Sequence, residues 1–268
     1  MVGALLVALI SFGYVSAAVL FVAQLYSLRQ ARRARAAGWL GFAAETLWLI
    51  RMAWTTHAFP AATPVTWVAF FVWLAVGLYL AFARRLMFAS VGAFLFPVVA
   101  LVWLLSQLVL ASSHPEAASG WLVVHIVAAA LSDAAFLMAS VFGIMYIEKE
   151  RELKSKRVRL FYYQLPSLED MDGWLARFLT VGWLLFTLML VSGALWAYTS
   201  HTWVLTGTAT EIWSLATWVV YAVLVWARVG FHWQGHRLAV WSMVAFLVVL
   251  GKVFGVSVLF PGLHHTGV

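Results

Sequence analysis

The side chains able to do chemistry are few and unevenly spread. Of eight histidines, His57, His114, His201, His264 and His265 lie in short polar connections or the C-terminal tail. His125 lies in a long apolar run, and His232 and His236 share a basic connection. A neutral imidazole is a good ligand for iron and other transition metals, and two imidazoles fill both axial positions of an iron centre. Glu45, Arg51, Asp133 and Lys252 fall within or beside apolar stretches, where charge is costly and marks either function or a structural pair. The absence of Cys removes disulfides, thiolate catalysis and Cys-ligated metals. No HExxH, glycine-rich phosphate loop, nucleophile–base pair or paired carboxylate occurs, so enzymatic chemistry is not indicated.

The elements that must carry these residues are membrane helices. Of 268 residues, 65% are hydrophobic and only 10% charged, against about 45–50% and about 25% in a soluble domain. A water-soluble enzyme, a disordered tail and a fibrous protein are excluded. Eight apolar stretches, at about 3–27, 38–56, 64–83, 88–111, 121–147, 174–199, 212–229 and 238–259, are each long enough to cross a hydrocarbon layer of about 30 Å as a helix. The alternating segments of about ten residues that a membrane β-barrel requires do not occur. The sequence predicts an all-α, polytopic bundle forming a single transmembrane domain over residues 1–268. Its larger connections are a basic loop at 148–173 and a Trp-containing loop at 198–211.

Charge gives the bundle an expected orientation. Arg29, Arg32, Arg33 and Arg35 fill the first connection and Arg84 and Arg85 the third. Lys149, Arg151, Lys154, Lys156, Arg157 and Arg159 fill the fifth, and Arg228 and Arg237 the seventh. The intervening connections and the C-terminal tail hold no Lys or Arg. The positive-inside rule assigns the basic connections to the cytoplasm and both termini to the extracytoplasmic side of the cell membrane. The first apolar stretch has no basic segment before it and Arg residues after it, the pattern of a retained helix rather than a cleaved signal. The net charge of +7 then reads as a topological label, and nucleic-acid binding has no support. The 148–173 connection, which mixes cations with Phe161, Tyr162 and Tyr163, reads equally as an amphipathic segment on the inner leaflet and as a solvated linker.

With the cations inside, six histidines face outward, as a heme or metal site on that side requires. His57, His114 and His201 read as surface residues. His125, about one turn inside the outer end of the fifth stretch, needs a partner in its apolar setting, either a bound metal or a hydrogen bond to another helix. Glu45 and Arg51 are nearly opposite in helical phase and do not pair with each other. Lys252 is open to pairing with either Glu45 or Asp133. Arg51 sits near the outer end, placed either to meet an anionic group or to snorkel to the interface. Trp196, Trp203, Trp213 and Trp218 concentrate around the sixth connection. They suit either a platform for a planar macrocycle or interfacial anchoring.

Several of these stretches carry a family resemblance. Ser192 to Ala197 (SGALWA), Glu211 to Trp218 (EIWSLATW) and Phe260 to His264 (FPGLH) resemble the C-terminal motifs of the CcsA/CcmC/HemX superfamily of heme-handling cytochrome c assembly proteins. Leu122 to His125 (LVVH), Phe59-Pro60, Tyr79-Leu80 and Phe94 to Pro97 (FLFP) are similar to its earlier segments. The length fits the compact HemX/YpjD-like branch. The resemblance implies a tryptophan-rich outer loop as a heme platform, flanked by two axial histidines, here His125 and His264, with Trp203, Trp213 and Glu211 near the platform. The family's central WxWDPK stands here as Leu205 to Thr210 (LTGTAT), leaving only Glu211 and Trp213 of the second half. This departure bears on cytochrome c ligation more than on the fold.

The leading expectation is therefore a heme-handling protein that holds or passes heme, as heme b cargo, at the outer face through His125 and His264, with Arg51 near a propionate. The resemblance also implies an apocytochrome-handling partner subunit. An alternative from a different class is a HemX-like regulator of heme biosynthesis that acts on glutamyl-tRNA reductase through the 148–173 connection. A small-solute transporter using Glu45, Asp133 and Lys252 ranks last, since no inverted repeat or broken helix pair shows.

Overall fold

A computed structural model describes residues 2–26, 30–61, 63–83, 90–109, 120–155, 163–200 and 207–251. Among these residues eight helices follow in chain order: α1 (Val2–Gln24), α2 (Ala31–Thr56), α3 (Pro64–Phe82), α4 (Val91–Val109), α5 (Gly120–Ser155), α6 (Leu168–Thr199), α7 (Ala209–Gly230) and α8 (His236–Leu250). No strand occurs among the described residues. Among the described residues six helices, α1 and α3 to α7, are long and apolar enough to cross a membrane. The polytopic helical membrane protein expected from composition is the architecture found.

Helix boundaries follow local chemistry. At the start of α3, Thr63 and Thr66 form a reciprocal capping box and Pro64 occupies the first turn, where its missing N–H is no loss. The Ser167 side chain accepts from the Asp170 N–H at 3.0 Å and starts α6 six residues before the apolar stretch begins. At 36 residues, α5 is about 54 Å long and outruns the hydrocarbon layer. The expected connection at 148–173 is thus largely helix, with α5 continuing to Ser155 and α6 starting at Leu168.

The helices pack as two groups. In the first, α1 lies against α2 and α4, and α3 completes it; in the second, α5 lies against α6 and α8, and α7 packs on α6. Contacts of α5 with α3 and α4 join the groups. Close approach in the first group depends on small residues, as is usual where helices pack within lipid. A Cβ on Gly13 would lie 2.6 Å from the Gly41 backbone nitrogen, and one on Gly41 would lie 2.6 Å from the Tyr14 ring. Tyr14, Phe21, Tyr79 and Phe96 fill the interior, with Phe21 and Phe96 stacked at 5.0 Å and Tyr79 edge-on to Phe96 at 5.6 Å.

The α1–α2 crossing also supplies Glu45 with its partner. Glu45 is fully buried, and Tyr14 donates its hydroxyl to the Glu45 carboxyl. Glu45 thus fastens α2 to α1 through a tyrosine; Lys252 lies outside the described residues. Tyr14→Phe keeps the ring and removes the donor, and it is expected to cost about 1–3 kcal/mol, the usual penalty for a buried polar group left unsatisfied. Thermal unfolding in detergent measures the loss.

Polar contacts tie together the ends of the helices beside the basic connections. Lys149, buried at the end of α5, donates to the carbonyls of Leu165 and Pro166 at 3.0 and 2.5 Å. The Gln164 amide reaches the Gln24 and Leu25 carbonyls at the end of α1 at 3.3 and 3.2 Å. Asp172 of α6 pairs with Arg228 of α7 at 2.8 Å and accepts from the Gly235 N–H at 2.6 Å. His236 at the start of α8 meets Glu150 of α5 at 2.6 Å.

Candidate functional site

At the opposite end of the second group, α5 and α6 run antiparallel in close contact. Their seam is built around residues of α6 that leave room for rings of α5. A Cβ on Gly182 would lie 2.5 Å from the Phe136 ring, and Phe142 stacks on Phe178 at 5.9 Å. His125 continues this seam as the sixth residue of α5. Its ring is partly buried and lies over Gly193, where a Cβ would stand 2.7 Å from Nδ1 and 3.0 Å from Cε1.

The His125 ring is also oriented. Nδ1 lies 2.7 Å from the Met189 carbonyl oxygen. A carbonyl only accepts, so Nδ1 carries the proton and the lone pair of the neutral ring is on Nε2. A backbone-anchored Nδ1–H is the usual arrangement behind a metal-ligating histidine, where it fixes both tautomer and ring plane. The Ser192 hydroxyl lies 3.0 Å from the same carbonyl and 2.8 Å from that of Leu188. The α5–α6 seam thus holds the His125 ring in one tautomer and one plane.

The other candidates are distributed as follows. Trp213, in the second turn of α7, is 39% exposed and donates its indole N–H to the Val248 carbonyl of α8 at 3.0 Å. Its ring also lies against Gly251, so it docks on the end of α8 that leads toward residue 264. Glu211 accepts the Gly207 N–H at 2.9 Å, and its own N–H is 3.3 Å from the Thr208 hydroxyl. Helix capping therefore engages a side chain that the resemblance assigns to the platform. Arg51 is exposed on α2 with its guanidinium over Gly3 of α1, in the first helix group, while His125 belongs to the second. His264 and Trp203 lie outside the described residues.

Asp133, 1% exposed, lies on α5 near enough to Tyr221 of α7 to act on it electrostatically, and Tyr221 stacks on Phe136 at 3.4 Å. Among the described residues, no group of three or more His, Asp or Glu is placed to hold a metal ion. Sequence reasoning missed Met189 and Gly193 as partners of His125. The available signal was the small pair Ser192-Gly193 in an otherwise bulky apolar helix.

The fold of apolar helices agrees with the family that comparison with known proteins shows. Residues 62–264 match the model of the Cytochrome C assembly protein family, and the chain belongs to that family. Among its relatives, "Cytochrome c biogenesis protein CcsA" of Synechococcus sp. (strain CC9605) is 31% identical over 174 residues, 57% of each chain. The protein of the same name from Prochlorococcus marinus (strain MIT 9303) is 28% identical over 254 residues, 83% of this chain and 80% of the relative. That of Trieres chinensis is 25% identical over 243 residues, 78% of each. The segment matched to the Synechococcus relative thus spans little more than half of that protein's length.

Proposed function

We infer that this protein handles heme in cytochrome c biogenesis, holding the iron as cargo through the Nε2 of His125, with His264 as the second axial ligand. The observation that carries this reading is the 2.7 Å contact from His125 Nδ1 to the Met189 carbonyl, which leaves the ligating lone pair on Nε2. Bis-histidine coordination suits holding rather than oxygen chemistry, since both axial positions are filled. The alternation of basic and cation-free connections supports an extracytoplasmic location for His125, His264 and both termini. The named activity of the relatives supports cytochrome c biogenesis as the setting.

Titration of the purified protein with ferric heme tests this. The expected result is saturable binding with a six-coordinate, low-spin visible spectrum in the wild type. His264→Ala is expected to give a five-coordinate, high-spin species, and the double variant His125→Ala/His264→Ala no saturable binding. An absence of saturable binding by the wild type overturns the reading.

A further inference from the structure

We propose that the turn of α6 from Met189 to Gly193 is a positioning element that sets the orientation and donor strength of His125. The inference rests on the reading of His125 as an iron ligand. It extends the site to residues that never touch the iron: the Met189 carbonyl, which orients the ring, Gly193, which seats it, and Ser192, which shares the carbonyl.

Gly193 acts by exclusion. A Cβ there would stand 2.7 Å from Nδ1 and 3.0 Å from Cε1, and neither distance is compatible with a carbon in ordinary contact. Any side chain at 193 therefore displaces the ring from the Met189 carbonyl. Most residues would fill this position better in a helix, since glycine in a helix interior is unfavourable by about 1 kcal/mol relative to alanine. Here the missing side chain makes room for the imidazole.

Ser192 acts through competition. Its hydroxyl lies within hydrogen-bond distance of both the Leu188 and Met189 carbonyls, at 2.8 and 3.0 Å, so it shares the Met189 oxygen with His125 Nδ1–H at 2.7 Å. A stronger Nδ1–H···O bond makes Nε2 a more basic ligand, and a more basic ligand favours ferric over ferrous iron. Ser192 thus moderates the electron donation of His125, and Ser192→Ala leaves the carbonyl to the imidazole alone.

Two readouts test the element, one of them without heme. In apoprotein labelled with 15N-histidine, His125 is expected as the Nδ1–H tautomer in the wild type and in Ser192→Ala. In Gly193→Ala that population is expected to fall. In the heme-loaded protein, Gly193→Ala is expected to weaken binding about 10–100-fold, as for loss of an outer-shell partner, and Ser192→Ala to lower the midpoint potential. An unchanged tautomer and spectrum in folded Gly193→Ala overturns the proposal. If Gly193→Ala does not fold, the Ser192→Ala potential decides, and no downward shift overturns it. Heme binding indifferent to His125→Ala fails the underlying reading; binding that needs His125 but ignores positions 192 and 193 fails this inference alone.

Discussion

Leucine at position 13 is expected to abolish assembly of the first helix group. The crossing of α1 and α2 has no side chain between the two backbones at this point: a Cβ on Gly13 would lie 2.6 Å from the Gly41 nitrogen and 2.7 Å from its Cα. Backbone cannot rotate out of the way as a flexible side chain does, so the helices must separate. Separation withdraws Tyr14 from Glu45 and loosens the rings of Phe21, Tyr79 and Phe96 packed beside it. Overpacking a well-filled interior usually costs about 1–3 kcal/mol. Gly13→Ala is expected at the upper end of that range, and leucine beyond it. The yield of monodisperse protein in detergent and the thermal midpoint report the effect. Gly120→Ala and Gly173→Ala are the controls, because among the described residues an added Cβ meets nothing within 4 Å at either site. Their midpoints are expected to match or exceed the wild type.

The second large effect is at His125. If His125 holds the iron as proposed, alanine there is expected to reduce heme affinity by more than the about 10–100-fold that follows loss of an outer-shell partner. Alanine also deletes the hydrogen bond to Met189, so a weakened seam between α5 and α6 would produce a loss of its own. His125→Asn separates the two causes. Its side-chain amide supplies a donor for the Met189 carbonyl but no imidazole lone pair. The asparagine variant is expected to keep the thermal stability of the wild type and to bind heme as poorly as alanine. Wild-type affinity in a folded asparagine variant would show that iron is held elsewhere.

Much of this architecture was legible in the chain because hydropathy and charge act on whole segments. Apolar runs of membrane length become helices whichever neighbours they meet, and the basic connections mark one end of the bundle. Ends depend on single residues: α6 begins at Leu168 because Ser167 caps it, and α5 extends through charged residues to Ser155, beyond what hydropathy alone indicates. Pairings were less legible. Glu45 meets Tyr14, 31 positions away, and a phenol carries no charge to mark it; Lys252, open to pairing with Glu45 or Asp133, lies outside the described residues. The capping role of Glu211 is written in the sequence as Thr208-x-x-Glu211, a known helix-start pattern. His125 stood out as a polar ring in an apolar helix. Its seat at Gly193 did not, because a glycine reveals nothing of its neighbour until the register of two helices is known.

The Gln164 amide reaches the last carbonyls of α1 across 139 and 140 residues of chain, and this has a consequence for biosynthesis. At about 5–20 residues per second, Gln164 leaves the ribosome roughly 10–30 s after the first helix. In that interval the carbonyls at the end of α1 lack this donor, and hydrocarbon offers none in its place. The first helix must therefore keep that end at the aqueous boundary while most of the protein is still being made, and its depth in the membrane is set long before its permanent partner arrives.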